Sequence, residues 1–318
     1  MKGLFTLLFA VATVAAPAKH HAVPATSSSA NSEPPRLAQY APTKYVNISD
    51  GTQIAYRRFG KASEFPLLYL NHLRQSMDVI DPLLMNHIAE NRDVIVFDNL
   101  GVGHSQGEVP ASLEVMGVVA VELLAALSVP KVDILGFSMG GAIAQYIGME
   151  YPHVVHKLVL AGTQSAVGPG VQFPDPSIFA LAAGNGSQPT EEAMLTLFFS
   201  ATETSLALGH AWWRRLSQRN VKGEDRIAFV EGAGINAQLT AISAFASNAT
   251  YFDRLQEVSA TTLVTNGAND VMAPTVDSYI LQQQLPRAEL HIYPDSGHGH
   301  LFQFPELYAR NLETFLEN

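Results

Sequence analysis

Hydrophobic residues along this chain are gathered into short blocks. The blocks at residues 66–71, 94–98, 132–137, 158–161, 262–265 and 290–293 are largely apolar and end in turn-forming residues, the mark of strands buried on both faces. Upstream, residues 44–49 and 53–59 flank Asp50-Gly51, and that dipeptide between two strand-like runs predicts a β-hairpin. Helical spacing recurs over residues 113–127, 140–150, 276–285 and 305–316. Alternation of this kind predicts βαβ units. The expected class is therefore α/β, a mostly parallel sheet flanked by helices.

One stretch interrupts the alternation. Between residues 163 and 254 there are Gly and Pro clusters and helix-like segments near 191–208 and 211–219, with no clear strand. An insertion of that size between two strands is expected to form a helical cap, at about 164–254, over a pocket at the strand ends. The first residues read differently. Lys2 precedes an apolar run over residues 4–16 that ends at Ala16-Pro17-Ala18, the pattern of a secretory signal peptide over residues 1–18. The run is shorter than the ~20 residues needed to span a bilayer. Residues 19–43, rich in Pro, Ala and Ser, are expected to be a flexible leader into a single catalytic domain over 44–318. Sequons at Asn47, Asn185 and Asn248 fit a secreted glycoprotein. No membrane anchor is expected in the mature form.

Composition narrows the function. Across 318 residues, 47% are hydrophobic and 15% charged, which supports a large buried core. The net charge of -10, with Lys and Arg scattered singly, gives no footprint for nucleic acid. There is no cysteine, hence no thiolate metal site and no cysteine nucleophile. No catalytic metal spacing is present and no cofactor is implied; the expected partner is a small-molecule substrate.

The chemistry concentrates at Gly136-Phe137-Ser138-Met139-Gly140-Gly141, between a strand-like block and a helical pattern. This is the G-x-S-x-G context, in which glycines permit a tight strand-to-helix turn that presents the serine hydroxyl. Ser138 is the expected nucleophile. It needs a base, and the base an orienting acid. Asp270 lies just past the block at 262–265, and His298, between Gly297 and Gly299, just past the block at 290–293. Both positions fall at carboxyl ends of strands, where open α/β sheets place their sites. Asp295 competes as the acid and His300 as the base. Oxyanion donors are expected from the amides of Met139 and of Leu73, in Asn71-His72-Leu73. Asp98-Asn99-Leu100-Gly101-Val102-Gly103 lacks the third glycine of a dinucleotide loop and reads as a structural turn.

Taken in order, Asn71-His72-Leu73, Phe97-Asp98-Asn99-Leu100-Gly101-Val102-Gly103-His104-Ser105, Gly136-Phe137-Ser138-Met139-Gly140-Gly141, Gly267-Ala268-Asn269-Asp270 and Gly297-His298 resemble the α/β-hydrolase superfamily. The resemblance runs from about residue 44 to the C-terminus. It points to the branch of cofactor-free haloperoxidase-like esterases, lactonases and C-C bond hydrolases, including fungal homologues of secondary metabolism. It implies a serine hydrolase cleaving an ester, lactone or related acyl bond of a small hydrophobic molecule. Cap residues Phe198, Phe199, Trp212 and Trp213 fit such a substrate. The sequence departs from the family at His72, where glycine is usual. Position 138 is serine, which disfavours the acid-nucleophile epoxide hydrolases and haloalkane dehalogenases. A lyase without an acyl-enzyme and a non-catalytic ligand-binding protein remain alternatives on the same fold.

Overall fold

A computed structural model describes residues 37–318; the signal segment and most of the expected leader lie outside the described residues. The strands are β1 (Lys44–Asn47), β2 (Gln53–Gly60), β3 (Leu67–Leu70), β4 (Asp93–Phe97), β5 (Val132–Phe137), β6 (Val155–Ala161), β7 (Thr261–Gly267) and β8 (Ala288–Tyr293). They form one eight-stranded sheet in the order β1-β2-β4-β3-β5-β6-β7-β8. The pairs β1/β2 and β2/β4 are antiparallel, and every other pair is parallel. All residues of β3 and β5 are buried, because a strand covered on both faces has no polar side to show.

The helices are α1 (Leu37–Tyr40), α2 (Pro82–Ala89), α3 (Leu113–Ala126), α4 (Met139–Glu150), α5 (Pro176–Ala183), α6 (Glu191–Phe198), α7 (Glu203–Arg215), α8 (Ala233–Ser247), α9 (Ala249–Arg254), α10 (Thr275–Gln284), α11 (His300–Gln303) and α12 (Pro305–Glu317). Two apolar clusters form the core. One joins β3 and β4 to α2, α12 and the cap helices α6 and α7; the other holds α3, α4 and the opposite side chains of β3, β4 and β5.

Residues 37–43, assigned by composition to the flexible leader, are packed. Ala38 and Ala41 are buried, the Ala38 amide donates to Asn86 Oδ1 at 2.9 Å, and Thr43 Oγ1 donates to Glu224 at 2.6 Å. Small side chains let this stretch lie against α2, a contact that local periodicity does not register. Between β6 and β7 stand α5 to α9, and no strand interrupts them. The helical run expected over 191–208 is broken into α6 and α7. Phe199 is extended there, and Thr202 starts a new helix by accepting from the Ser205 amide, a polar cap that ends one helix period and resets the next. The asparagines of the sequons, Asn47, Asn185 and Asn248, are all exposed. No helix among the described residues is long and apolar enough to cross a membrane.

Candidate active site

The parallel registers align the carboxyl ends of the central strands. Leu70 lies beside Gly136, Phe137 beside Ala161, Ala161 beside Thr265, and Gly267 beside Tyr293. Ser138, Asp270 and His298 lie beyond the ends of β5, β7 and β8. Residues far apart in sequence therefore emerge on one edge of the sheet.

Ser138 joins β5 to α4 with φ 57° and ψ −119°, a conformation that costs an L-residue about 1–3 kcal/mol and persists only when its surroundings hold it. Its amide donates to Ala161 O at 2.9 Å, and its carbonyl accepts from Gly141 N at 2.8 Å. The turn is tight enough that a Cβ on Gly140 would collide with the Leu70 carbonyl oxygen. Met139 opens α4, so its N–H has no intrahelical acceptor. Leu73 N–H donates to no acceptor among the described residues. Ser138, Leu73 and Met139 line the same cavity.

The loops carrying Asp270 and His298 are joined. Ala268 N donates to Tyr293 O at 2.9 Å and Asn269 N to Ser296 O at 2.9 Å. His298 Nδ1 and Asp270 Oδ2 are 2.8 Å apart. Asp270 Oδ1 accepts from Met272 N at 2.7 Å and Ala273 N at 2.9 Å. A carboxylate with three donors is fixed in place, and its bond to Nδ1 gives that nitrogen the proton. Nε2 then carries the lone pair. It is buried and has no hydrogen-bond partner among the described residues. The ring lies between Phe137 and Phe198, with centroids at 4.9 and 5.2 Å.

The competing residues are engaged elsewhere. Asp295 accepts from Thr202 Oγ1 at 2.8 Å. His300 is wholly buried, and burial lowers its pKa to about 3. Its Nδ1 donates to the His298 carbonyl at 3.1 Å, so its Nε2 accepts from Thr265 Oγ1 at 3.0 Å, and Thr265 in turn accepts from Tyr308 at 3.2 Å. His300 thus supports the backbone of His298. In the Gly-x-Gly segment, Asp98 accepts from Met77 N at 2.7 Å and His104 N at 2.9 Å, which holds a structural turn.

Above Ser138 the cavity has two lobes, and Leu73, Ser138, Ala182, Met272 and His298 belong to both. The larger, ≈ 410 Å³, is walled by Phe173, Ile178, Phe179, Ile242 and Phe245. The smaller, ≈ 240 Å³, is more polar, with His72, Arg74, Asn185, Gln188 and Thr190 in its wall. Of the four cap aromatics singled out in the sequence, only Phe198 lines a lobe. Trp212 stacks on Phe198 and Phe302, and Trp213 on Phe229, inside the joint between cap and sheet. The residues that do wall the larger lobe come from α5, α8 and the loop before α5. Their signal was the Pro-led apolar run Pro-Ser-Ile-Phe-Ala-Leu-Ala-Ala of α5.

A serine on a strained strand-to-helix turn, a paired histidine and acid, and helices inserted between β6 and β7 of an α/β sheet are the features of the α/β-hydrolase class. The chain belongs to the α/β-hydrolase fold family, whose model matches residues 66–305. It is similar to an alpha/beta hydrolase fold protein from Chitinophaga pinensis, at 34% identity and a TM-score of 0.79, with 88% of this chain and 99% of that one covered. It is also 29% identical over 234 residues to 2-hydroxymuconate semialdehyde hydrolase of Pseudomonas putida, covering 72% of this chain and 78% of that protein. A poly(3-hydroxyalkanoate) depolymerase of Ectopseudomonas oleovorans is 27% identical over 262 residues, covering 82% and 87%. The protein is an α/β-hydrolase enzyme.

Proposed function

We propose that this enzyme is a serine hydrolase that cleaves an ester, lactone or related acyl bond of a small hydrophobic molecule through an acyl-enzyme. The observation that carries the reading is the strained Ser138 at the junction of two lobes that it lines together with a histidine held by Asp270. Ser138 Oγ attacks the substrate carbonyl carbon while its proton passes to His298 Nε2. The oxyanion is met by the amides of Leu73 and Met139. Collapse breaks the acyl bond, and the leaving alkoxide takes the proton from His298. Water then attacks the acyl-enzyme, gives a proton to His298, and Ser138 regains its own as the acid departs. Asp270 keeps His298 in the required tautomer throughout. The apolar wall of the larger lobe suits the hydrocarbon part of the substrate.

The test is a panel of p-nitrophenyl esters and lactones with wild type and Ser138→Ala, joined to intact-mass analysis after treatment with a serine-directed phosphonate. Expected are turnover that falls by at least about 10³-fold in the variant and an adduct mapped to Ser138. Turnover that survives the substitution, or an adduct elsewhere, sinks the assignment.

A further inference from the structure

His72 occupies a position where the resemblance to the family predicts glycine, and it does so inside the wall of the smaller lobe. The ring is buried, at 3% exposure. Its Nδ1 lies 2.8 Å from the Leu73 carbonyl oxygen. A carbonyl can only accept, so Nδ1 carries the hydrogen and Nε2 the lone pair. Burial lowers the pKa of the ring to about 3, so it is neutral at any ordinary working pH.

Nε2 has no hydrogen-bond partner among the described residues. The aromatic rings beside it, Phe137 and Phe198 at centroid distances of 5.5 and 5.2 Å, meet it at steep angles and offer only carbon-bound hydrogens. A buried acceptor left unpaired is costly to the fold, and such a group in the wall of a cavity calls for an explanation. The next residue, Leu73, lines both lobes with Ser138 and His298, so a group beside His72 sits a few atoms from the bond under attack.

We infer that His72 is a specificity residue whose Nε2 accepts a hydrogen bond from a hydroxyl or N–H carried by the substrate close to its scissile carbonyl. This rests on the serine hydrolase reading above and adds a substrate class: acyl compounds with an apolar body for the larger lobe and a hydrogen-bond donor for the smaller. Arg74, Gln188 and Thr190 in the same wall suit a polar substituent there.

The experiment compares kcat/KM for p-nitrophenyl esters of 2- and 3-hydroxybutyrate with those of the matching methoxybutyrates, which keep the oxygen and lose the donor. Wild type should favour at least one hydroxy ester over its methoxy partner by about tenfold or more. That ratio should stay level from pH 5 to 9, since His72 does not titrate there. In His72→Phe, which retains an aromatic ring, the ratio should fall to about one; His72→Gln, which keeps an acceptor, should restore part of it. The ratio within each enzyme is the readout, so a general loss of rate does not imitate the effect. Equal kcat/KM for hydroxy and methoxy esters in wild type overturns the inference whether or not the variants fold, as does a ratio unchanged in a folded His72→Phe. If Ser138 is labelled and esters turn over in either case, the hydrolase reading stands and only the role of His72 falls. Absence of both labelling and turnover overturns the two together.

Discussion

At the scale of single residues, the site is organised by hydrogen-bond direction more than by charge. Asp270 accepts two backbone amides on one oxygen and His298 on the other, and this sets which nitrogen of the imidazole keeps the lone pair. An asparagine keeps the shape but offers an amide N–H to Nδ1, which favours the opposite tautomer and takes the lone pair away from Nε2. Asp270→Asn should therefore lower kcat by about 10³–10⁴-fold with a much smaller change in KM. Steady-state kinetics on any ester the wild type hydrolyses checks this; a fall confined to KM would mean that Asp270 serves binding rather than the base. His300 obeys the same logic one step away. Because its Nδ1 must donate to the His298 carbonyl, the directions of the bonds from Thr265 and Tyr308 follow. Two histidines spaced by one glycine thus have opposite roles, and only the partners reveal which is which.

At the scale of elements, the cap is tied to the sheet by ions as well as by aromatic stacking. Arg215, in the last turn of α7, donates to both oxygens of Asp81 at 2.9 and 2.7 Å and to Phe302 O at 3.2 Å. Asp81 also caps α2 by accepting from Leu83 N, and its side chain is fully buried. Removing one member of such a pair strands a buried charge, which typically costs about 3–5 kcal/mol. Arg215→Met should destabilise the protein by about that amount, measured by urea unfolding; a loss under about 1 kcal/mol would show the pair to be dispensable. This tie was invisible in the sequence, since Arg215 and Asp81 are 134 positions apart. What the sequence did expose were the strands and the loops that follow them: the uninterrupted apolar runs of β3 to β7 reflect burial on both faces, whereas β8, expected to be covered likewise, is at the sheet edge with only Tyr293 buried. The segment 176–183 and the helix at 233–247 carried weaker signals. Several of their apolar residues, Ile178, Phe179 and Ile242 among them, line a cavity, and α8 has few large side chains, which blurs a helical period. Likewise Ser138 was legible because glycine neighbours advertise a tight turn, whereas the two-lobed cavity depends on where the cap comes to rest.

At the scale of the whole molecule, buried ionisable groups pull stability in opposite directions with pH. His72 and His300 have pKa values lowered to about 3 by burial. Unfolding returns them to about 6.5, so the stability they contribute is present above that pH and is lost as pH falls toward 3. Asp98 and Asp277 run the other way. Burial pushes both up to about 6 from 3.8, with the nearby Asp270 adding to the rise at Asp277. Between about pH 4 and 6 the folded state keeps protons that the unfolded chain has released. Their contribution is therefore complete below 4 and is lost as pH rises through 6. The two effects overlap and largely mask each other in the wild-type profile, so a difference measurement is needed. Asp277 suits it, because Oδ1 accepts from Gln172 N at 2.9 Å while Oδ2 is buried with no partner among the described residues. Asp277→Asn retains the first bond and removes the titration. Unfolding free energies at pH 4.5 and 7.5 should show the variant gaining on wild type at the higher pH, where Asp277 is otherwise a buried anion near Asp270. An equal difference at both pH values would mean that Asp277 is ionised throughout and that its charge is met by the fold.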